Sequence, residues 1–167
     1  SNDIRTEGHS WGLTVAVLMD KQTAFDKLWR FAAAYQRNTT GSYPGTFAWQ
    51  VKLDANNQPY KADIGPAPDG ELYFAFALLN ADARWGSTGS INYYSEAMAV
   101  LGALKTYLMV NNMIVFSPSV SNVTDPSYNI PAFYNYFAKR VTAQADKDYW
   151  NNAATTSRTF LQNHLST

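Results

Sequence analysis

Apolar side chains return at three- and four-residue steps in segment after segment, and that spacing confines the chain to packed helices. Between residues 22 and 37, Phe25, Leu28, Trp29, Ala32 and Tyr35 form one stripe against a face of Lys27, Arg30 and Arg37. Between 92 and 111, Tyr93, Ala97, Val100, Leu101, Leu104 and Leu108 lie on one side of a second helix. The pattern predicts further helices over 9–19, with Asp20 as N-cap of the next, over Asp69 to Arg84, after Pro131, and over 147–165 with Tyr149, Ala153, Phe160 and Leu161 inward.

Between the helices the punctuation is uneven. Residues 39–46 read as a loop, 46–53 and 60–64 as a β-hairpin around Asp54 to Pro59, and 112–130 as a long irregular connection of the kind that is functional or disordered. Six helices with short connections alternating with long aromatic loops predict an all-α fold of stacked antiparallel pairs, an α/α toroid, with the small hairpin near 46–64.

Composition narrows the function classes. With 167 residues, 46% hydrophobic and 16% charged, the chain has the material for a single domain core. Thirteen basic and thirteen acidic side chains cancel, and no basic run offers a track for phosphates, so nucleic acid and anionic membrane are excluded as partners. No apolar run reaches the roughly 20 residues that span a bilayer. Cysteine is absent, which removes disulfides and thiolate metal sites, and His9 and His164 have no metal-ligand spacing, so neither metal nor cofactor is expected. The bias that stands out is aromatic, with five Trp, eleven Tyr and nine Phe, several in loops or at helix starts, where rings serve packing, interfaces or flat sugar faces. Asn38-Thr39-Thr40 and Asn122-Val123-Thr124 fit the glycosylation pattern and carry little weight without a secretory context.

Two helices open with acids. Glu7, between Gly8 and Trp11, is expected to be partly desolvated, which raises a carboxyl pKa toward the range of a proton donor. The same residue in a first helical turn also stabilises the macrodipole, and alone that reading is preferred. The segment Pro68-Asp69-Gly70-Glu71 reverses the preference by setting a second acid at a second helix start, although Asp69 also reads as a plain N-cap.

Five blocks carry a resemblance: Asp3-Ile4-Arg5-Thr6-Glu7-Gly8-His9-Ser10-Trp11-Gly12, Phe47-Ala48-Trp49, Gly65 through Leu79, Arg84-Trp85-Gly86, and Asp125 through Phe133. In this order they resemble the N-terminal half of glycoside hydrolase family 8, and the chain is most similar to its cold-adapted bacterial β-1,4-xylanases. The resemblance implies part of an (α/α)6 barrel of twelve helices, an acidic cleft for a β-1,4-linked chain, and hydrolysis of internal bonds with inversion. It implies Glu7 as general acid, Asp69 as the aspartate binding the sugar at the cleavage point, and Tyr128 as the phenol that orients the attacking water. Trp49, Trp11 and Arg84 match substrate-binding positions. Each keeps a plainer reading: Trp49 as a rim tryptophan, Tyr128 as a tie for its loop. His9 departs from the Gln or Met common there and reads as a substitution on the helix's first turn.

The resemblance further implies a secreted bacterial enzyme acting on xylan or xylo-oligosaccharides, with glucan or chitosan as alternative substrates and a noncatalytic carbohydrate-binding fragment as a third reading. An inverting enzyme needs a base roughly 6.5–9.5 Å from the acid. In the family it lies in a later segment, so the remainder of the domain is an expected partner and the 167 residues alone are expected to be inactive.

Overall fold

In the computed structural model, which describes residues 3–165 with side chains through 164, the chain forms two compact units, Ser1–Tyr107 and Leu108–Thr167. In the first, strand β1 (Asp3–Arg5) leads into α1 (Thr6–Leu18) and α2 (Gln22–Phe31), which continues as a π-helical turn, Ala32–Gln36. Strands β2 (Gln50–Leu53) and β3 (Pro59–Asp63) precede α3 (Pro68–Trp85) and α4 (Tyr93–Ala103), the latter extended by a second π-helical stretch, Leu104–Leu108.

The expected hairpin is a three-stranded antiparallel sheet, β1-β2-β3, in which Asp3, Ile4 and Arg5 pair with Lys52, Val51 and Gln50. Three residues carry too little periodicity to read as a strand; the edge of β2 supplies it. The ladder then passes into the helix, since the Thr6 N–H donates to the Trp49 carbonyl at 3.0 Å. That bond satisfies one of the orphan donors at the start of α1, which has no side-chain cap.

Asp20 is not an N-cap. It adopts φ 58°, its N–H donates to Val17 and that of Lys21 to Ala16, which is the Schellman arrangement closing α1. Its carboxylate accepts from the Trp85 indole N–H at 2.7 Å. An aspartate tolerates the left-handed conformation, so the same residue type serves a helix end as well as a helix start.

Side-chain contacts fix the helix directions. His9 meets Phe31 and Gly12 lies against Leu28, so α1 and α2 are antiparallel. Thr6 meets Gly70, Trp11 meets Tyr73, and Asp20 meets Trp85, a nearly constant sequence offset, so α1 and α3 run parallel along their whole length. Between the helices and the sheet Phe47, Phe74, Trp29 and Phe25 are fully buried, with Phe47 and Phe74 centroids 4.8 Å apart. Arg37 lies over the Trp29 and Phe47 rings and pairs with Glu96. Asn38 is buried and its amide donates to Thr46 and to the Ile64 carbonyl, so the asparagine of that glycosylation pattern is used in the fold.

From residue 11 onward α1 is apolar apart from Thr14, a composition suited to enclosure by protein. Leu13, Ala16 and Val17 are buried, while Trp11, Val15, Leu18 and Met19 are exposed along another face.

In the second unit the expected helix to 111 stops early. Met109–Val110 (β4) and Met113–Ile114 (β5) form a hairpin around Asn111 and Asn112, both with positive φ, as a two-residue type I′ turn requires. The long connection therefore carries structure, including a 3-10 turn at Pro126–Tyr128. Helices α5 (Pro131–Arg140) and α6 (Gln144–Leu165) pack antiparallel through Tyr134, Phe137 and Trp150. Trp150 is buried where Tyr149 was expected to be. Among the described residues no helix is long and apolar enough to cross a membrane.

Candidate active site

Parallel packing of α1 and α3 brings two helix N-termini to one edge. Their backbones touch there: a Cβ built on Gly70 would stand 2.4 Å from the Thr6 Cβ and 2.5 Å from its Oγ1. Glu7 follows Thr6 and Asp69 precedes Gly70, so the two acids are presented from adjoining turns, each at the positive end of a helix dipole.

Glu7 is exposed, so the expected squeeze between Gly8 and Trp11 is not made by these residues. Gly8, the next residue, points along a different radius and has no side chain to cover the carboxyl group. Asp69 is half-buried in the first turn of α3 and accepts from the Gly70 N–H at 2.8 Å. It is not the cap; that position belongs to Ala67, whose side chain makes no capping bond.

One turn further along each helix stands an aromatic ring. Trp11, exposed, and Tyr73, half-buried, meet edge to face at 6.1 Å. Each lies four residues beyond its acid and on the same side of its helix. Sequence reasoning did not single out Tyr73, which the structure brings beside Trp11; its i+4 spacing from Asp69 was the available signal.

Trp49 is set by backbone bonds on both sides, donating to the Gly65 carbonyl and accepting from Thr6. Its indole N–H donates to Asp63, which lowers the pKa of that carboxyl group, helped by the Gly65 N–H. Arg5 lies over the ring, 5.3 Å from the centroid, so one face of the indole is taken by the guanidinium.

His9 is on the first turn of α1, facing inward. It is buried, with Nδ1 2.6 Å from Gln36 Oε1 and its ring against Phe31 and Phe74. Burial lowers its pKa against the opposing hydrogen bonds to Gln36 and the Leu28 carbonyl, so it is neutral at pH 7. A cavity of about 560 Å³ on the α2 side of α1, lined by Asp3, Arg5, His9, Lys27 and Phe31 among others, includes neither Glu7 nor Asp69.

Arg84 stands apart. It lies fifteen residues beyond Asp69 on one straight helix, about 22 Å along the axis, and faces Asp20 at 3.7 Å. Tyr128 belongs to the second unit, where its ring stacks on Phe116 and its carbonyl accepts from the Tyr134 hydroxyl. Asn129 beside it is buried and bonds Ser157 of α6, anchoring that turn. No cluster of three metal-ligating side chains occurs among the described residues.

Against known proteins, the family model described as Glycosyl hydrolases family 8 matches residues 1–165. The chain belongs to glycoside hydrolase family 8. A solved structure of a cold-adapted family 8 xylanase is 58% identical with a TM-score of 0.95, covering 98% of this chain and 42% of that one. The reducing-end xylose-releasing exo-oligoxylanase Rex8A of Paenibacillus barcinonensis is 38% identical, matched over 97% of this chain and 44% of its own length. Endoglucanase A of Acetivibrio thermocellus is 32% identical over 88% of this chain and 32% of its own. The chain thus spans less than half the length of these family 8 relatives. Its fold is the family's: all-α, with the helices of part of an (α/α)6 barrel.

Proposed function

We propose that these residues form the acid-bearing part of an inverting hydrolase of β-1,4-xylosidic bonds, acting within xylan chains. The observation that carries this reading is the contact of Thr6 with Gly70, where the turns bearing Glu7 and Asp69 meet at two parallel helix N-termini. Protonated Glu7 donates to the glycosidic oxygen as its bond to the anomeric carbon breaks. Asp69, at the positive end of the α3 dipole and accepting from the Gly70 N–H, also accepts hydrogen bonds from the sugar at that point. Water attacks the opposite face, oriented by Tyr128 and deprotonated by a carboxylate from the remainder of the domain, and the anomeric configuration inverts.

Xylan is preferred because the 58% identity is to a xylanase, also solved with substrate, while an endoglucanase of the family is 32% identical. A polymeric substrate does not cross a membrane, so the complete enzyme is proposed to act outside the cell. The exposed face of α1 is proposed to pack against the rest of the domain, without which the 167 residues bind sugar but do not turn it over.

Product analysis with the complete enzyme tests this. Mixed xylo-oligosaccharides released from xylan with inverted configuration are expected. Release of xylose alone indicates reducing-end exo action, and activity confined to glucan or chitosan overturns the substrate. Hydrolysis by the isolated 167 residues overturns the need for an external base. Trp49→Ala is expected to raise KM for xylohexaose about tenfold with kcat little changed, since stacking holds ground and transition states alike. An unchanged KM returns Trp49 to the role of a rim residue.

A further inference from the structure

Glu71 takes no part in the chemistry above, yet it occupies an unfavourable place. It lies in the first turn of α3, fully shielded from solvent, with the Phe47 N–H donating to Oε1 at 2.9 Å. Oε2 has no hydrogen-bond partner among the described residues. An ionised carboxylate so enclosed loses far more hydration than the backbone N–H groups beside it replace, and its neutral form is the stable one.

The surrounding charges do not reverse this. Asp69 on the same turn is a like charge, and Glu7 on α1 and Glu96 on α4 are acids as well. Arg37 is engaged by Glu96 and two rings, and Lys61 of β3 donates to the Arg37 carbonyl and to Asn38. His9 of α1 is neutral by burial. Burial pushes the Glu71 carboxyl up to about 8, against the Phe47 and Glu71 N–H groups, with Asp69 adding to the rise.

What this group connects gives it meaning. Phe47 stands two residues before Trp49, whose carbonyl receives the Thr6 N–H; Thr6 rests on Gly70, the residue between Asp69 and Glu71. We propose that Glu71 is a positioning residue: as an uncharged acid it ties the Trp49 segment to the turn carrying Asp69, closing a ring of contacts through Thr6 that fixes the stacking surface against the two carboxylates. What the ring positions rests on the xylan-hydrolase reading; the ring itself rests on burial and contact.

The test uses the complete enzyme with Glu71→Gln, which keeps an acceptor for Phe47 and cannot ionise, and Glu71→Leu, which removes the acceptor. At pH 6, Glu71→Leu is expected to lower kcat/KM on xylohexaose on the order of tenfold, while Glu71→Gln stays within about twofold. Wild-type activity is expected to fall as Glu71 ionises near pH 8, and Glu71→Gln to hold its activity there. The folded-state pKa is raised, so the wild type's stability from this group is complete below about 4.5 and lost as pH rises through about 8. Glu71→Gln should flatten that decline in urea midpoint.

A Leu variant as active as the Gln variant overturns the proposal. So does a Gln variant whose activity and stability profiles both superimpose on the wild type. If Glu71→Leu does not fold, the Gln profiles decide. A wild type inactive on xylan, glucan and chitosan sinks the hydrolase reading by itself, and identical wild-type and Gln stability profiles would then remove the neutral tie.

Discussion

Glu7→Gln in the complete enzyme is expected to lower turnover of unactivated xylan by about 10²–10⁴-fold, the range for losing a positioned proton donor. KM should change little, because an exposed amide of the same shape leaves the groove intact. The loss should shrink on an aryl xyloside whose leaving group departs without a proton. That contrast separates proton donation from a contribution to binding or to folding. Glu7 is exposed at a helix start with no buried partner, so its replacement should move the unfolding midpoint only slightly. Equal turnover by wild type and variant would remove the acid role from this position.

Gly70→Ala is the second large effect expected. The added methyl group would stand 2.4 Å from the Thr6 Cβ, a separation real carbons do not tolerate, so one backbone must move. Thr6 is pinned by its bond to Trp49, and α3 is held by Glu71 and the buried Phe74, so the displacement falls on the turns presenting Glu7 and Asp69. Overpacking of this kind costs about 1–3 kcal/mol of stability. The effect on kcat/KM is expected to be larger, on the order of 10²-fold, because misplacement of reacting groups by about 1 Å is that costly. Adding Thr6→Gly removes the clashing carbon and should recover part of the activity despite the poorer helix propensity of glycine. A single Gly70→Ala variant with full activity, or a double variant no better than the single, would separate the Thr6–Gly70 contact from catalysis.

Much of the scaffold was legible in local patterns. The stripe through Phe25, Trp29 and Ala32 is buried as its spacing demands, and Pro131 opens a helix where a missing N–H costs nothing. Residue type read without its neighbours was less informative. Asp20 beside a helix looked like a cap for the helix ahead and closes the one behind. His9, three residues from the start of α1, read only as a first-turn substitution and turns inward toward α2. No single apolar stripe marks α1, so periodicity could not say which side meets protein. Strand β1 was invisible because three residues become a strand only when another edge pairs with them.

The order of residues by itself settled which segments are helical, though not every boundary, and set an acid near the start of α1 and of α3, because these follow from side-chain spacing and backbone preferences within a few residues. Tertiary structure alone decided that α1 and α3 lie parallel, that Gly70 seats on Thr6, that Trp11 meets Tyr73, that Arg84 lies at the far end, and that Glu71 is sealed from water. These join residues distant in the chain. Local spacing specifies an apolar face but not its partner; the choice is made by shape and by the energy of removing each group from water.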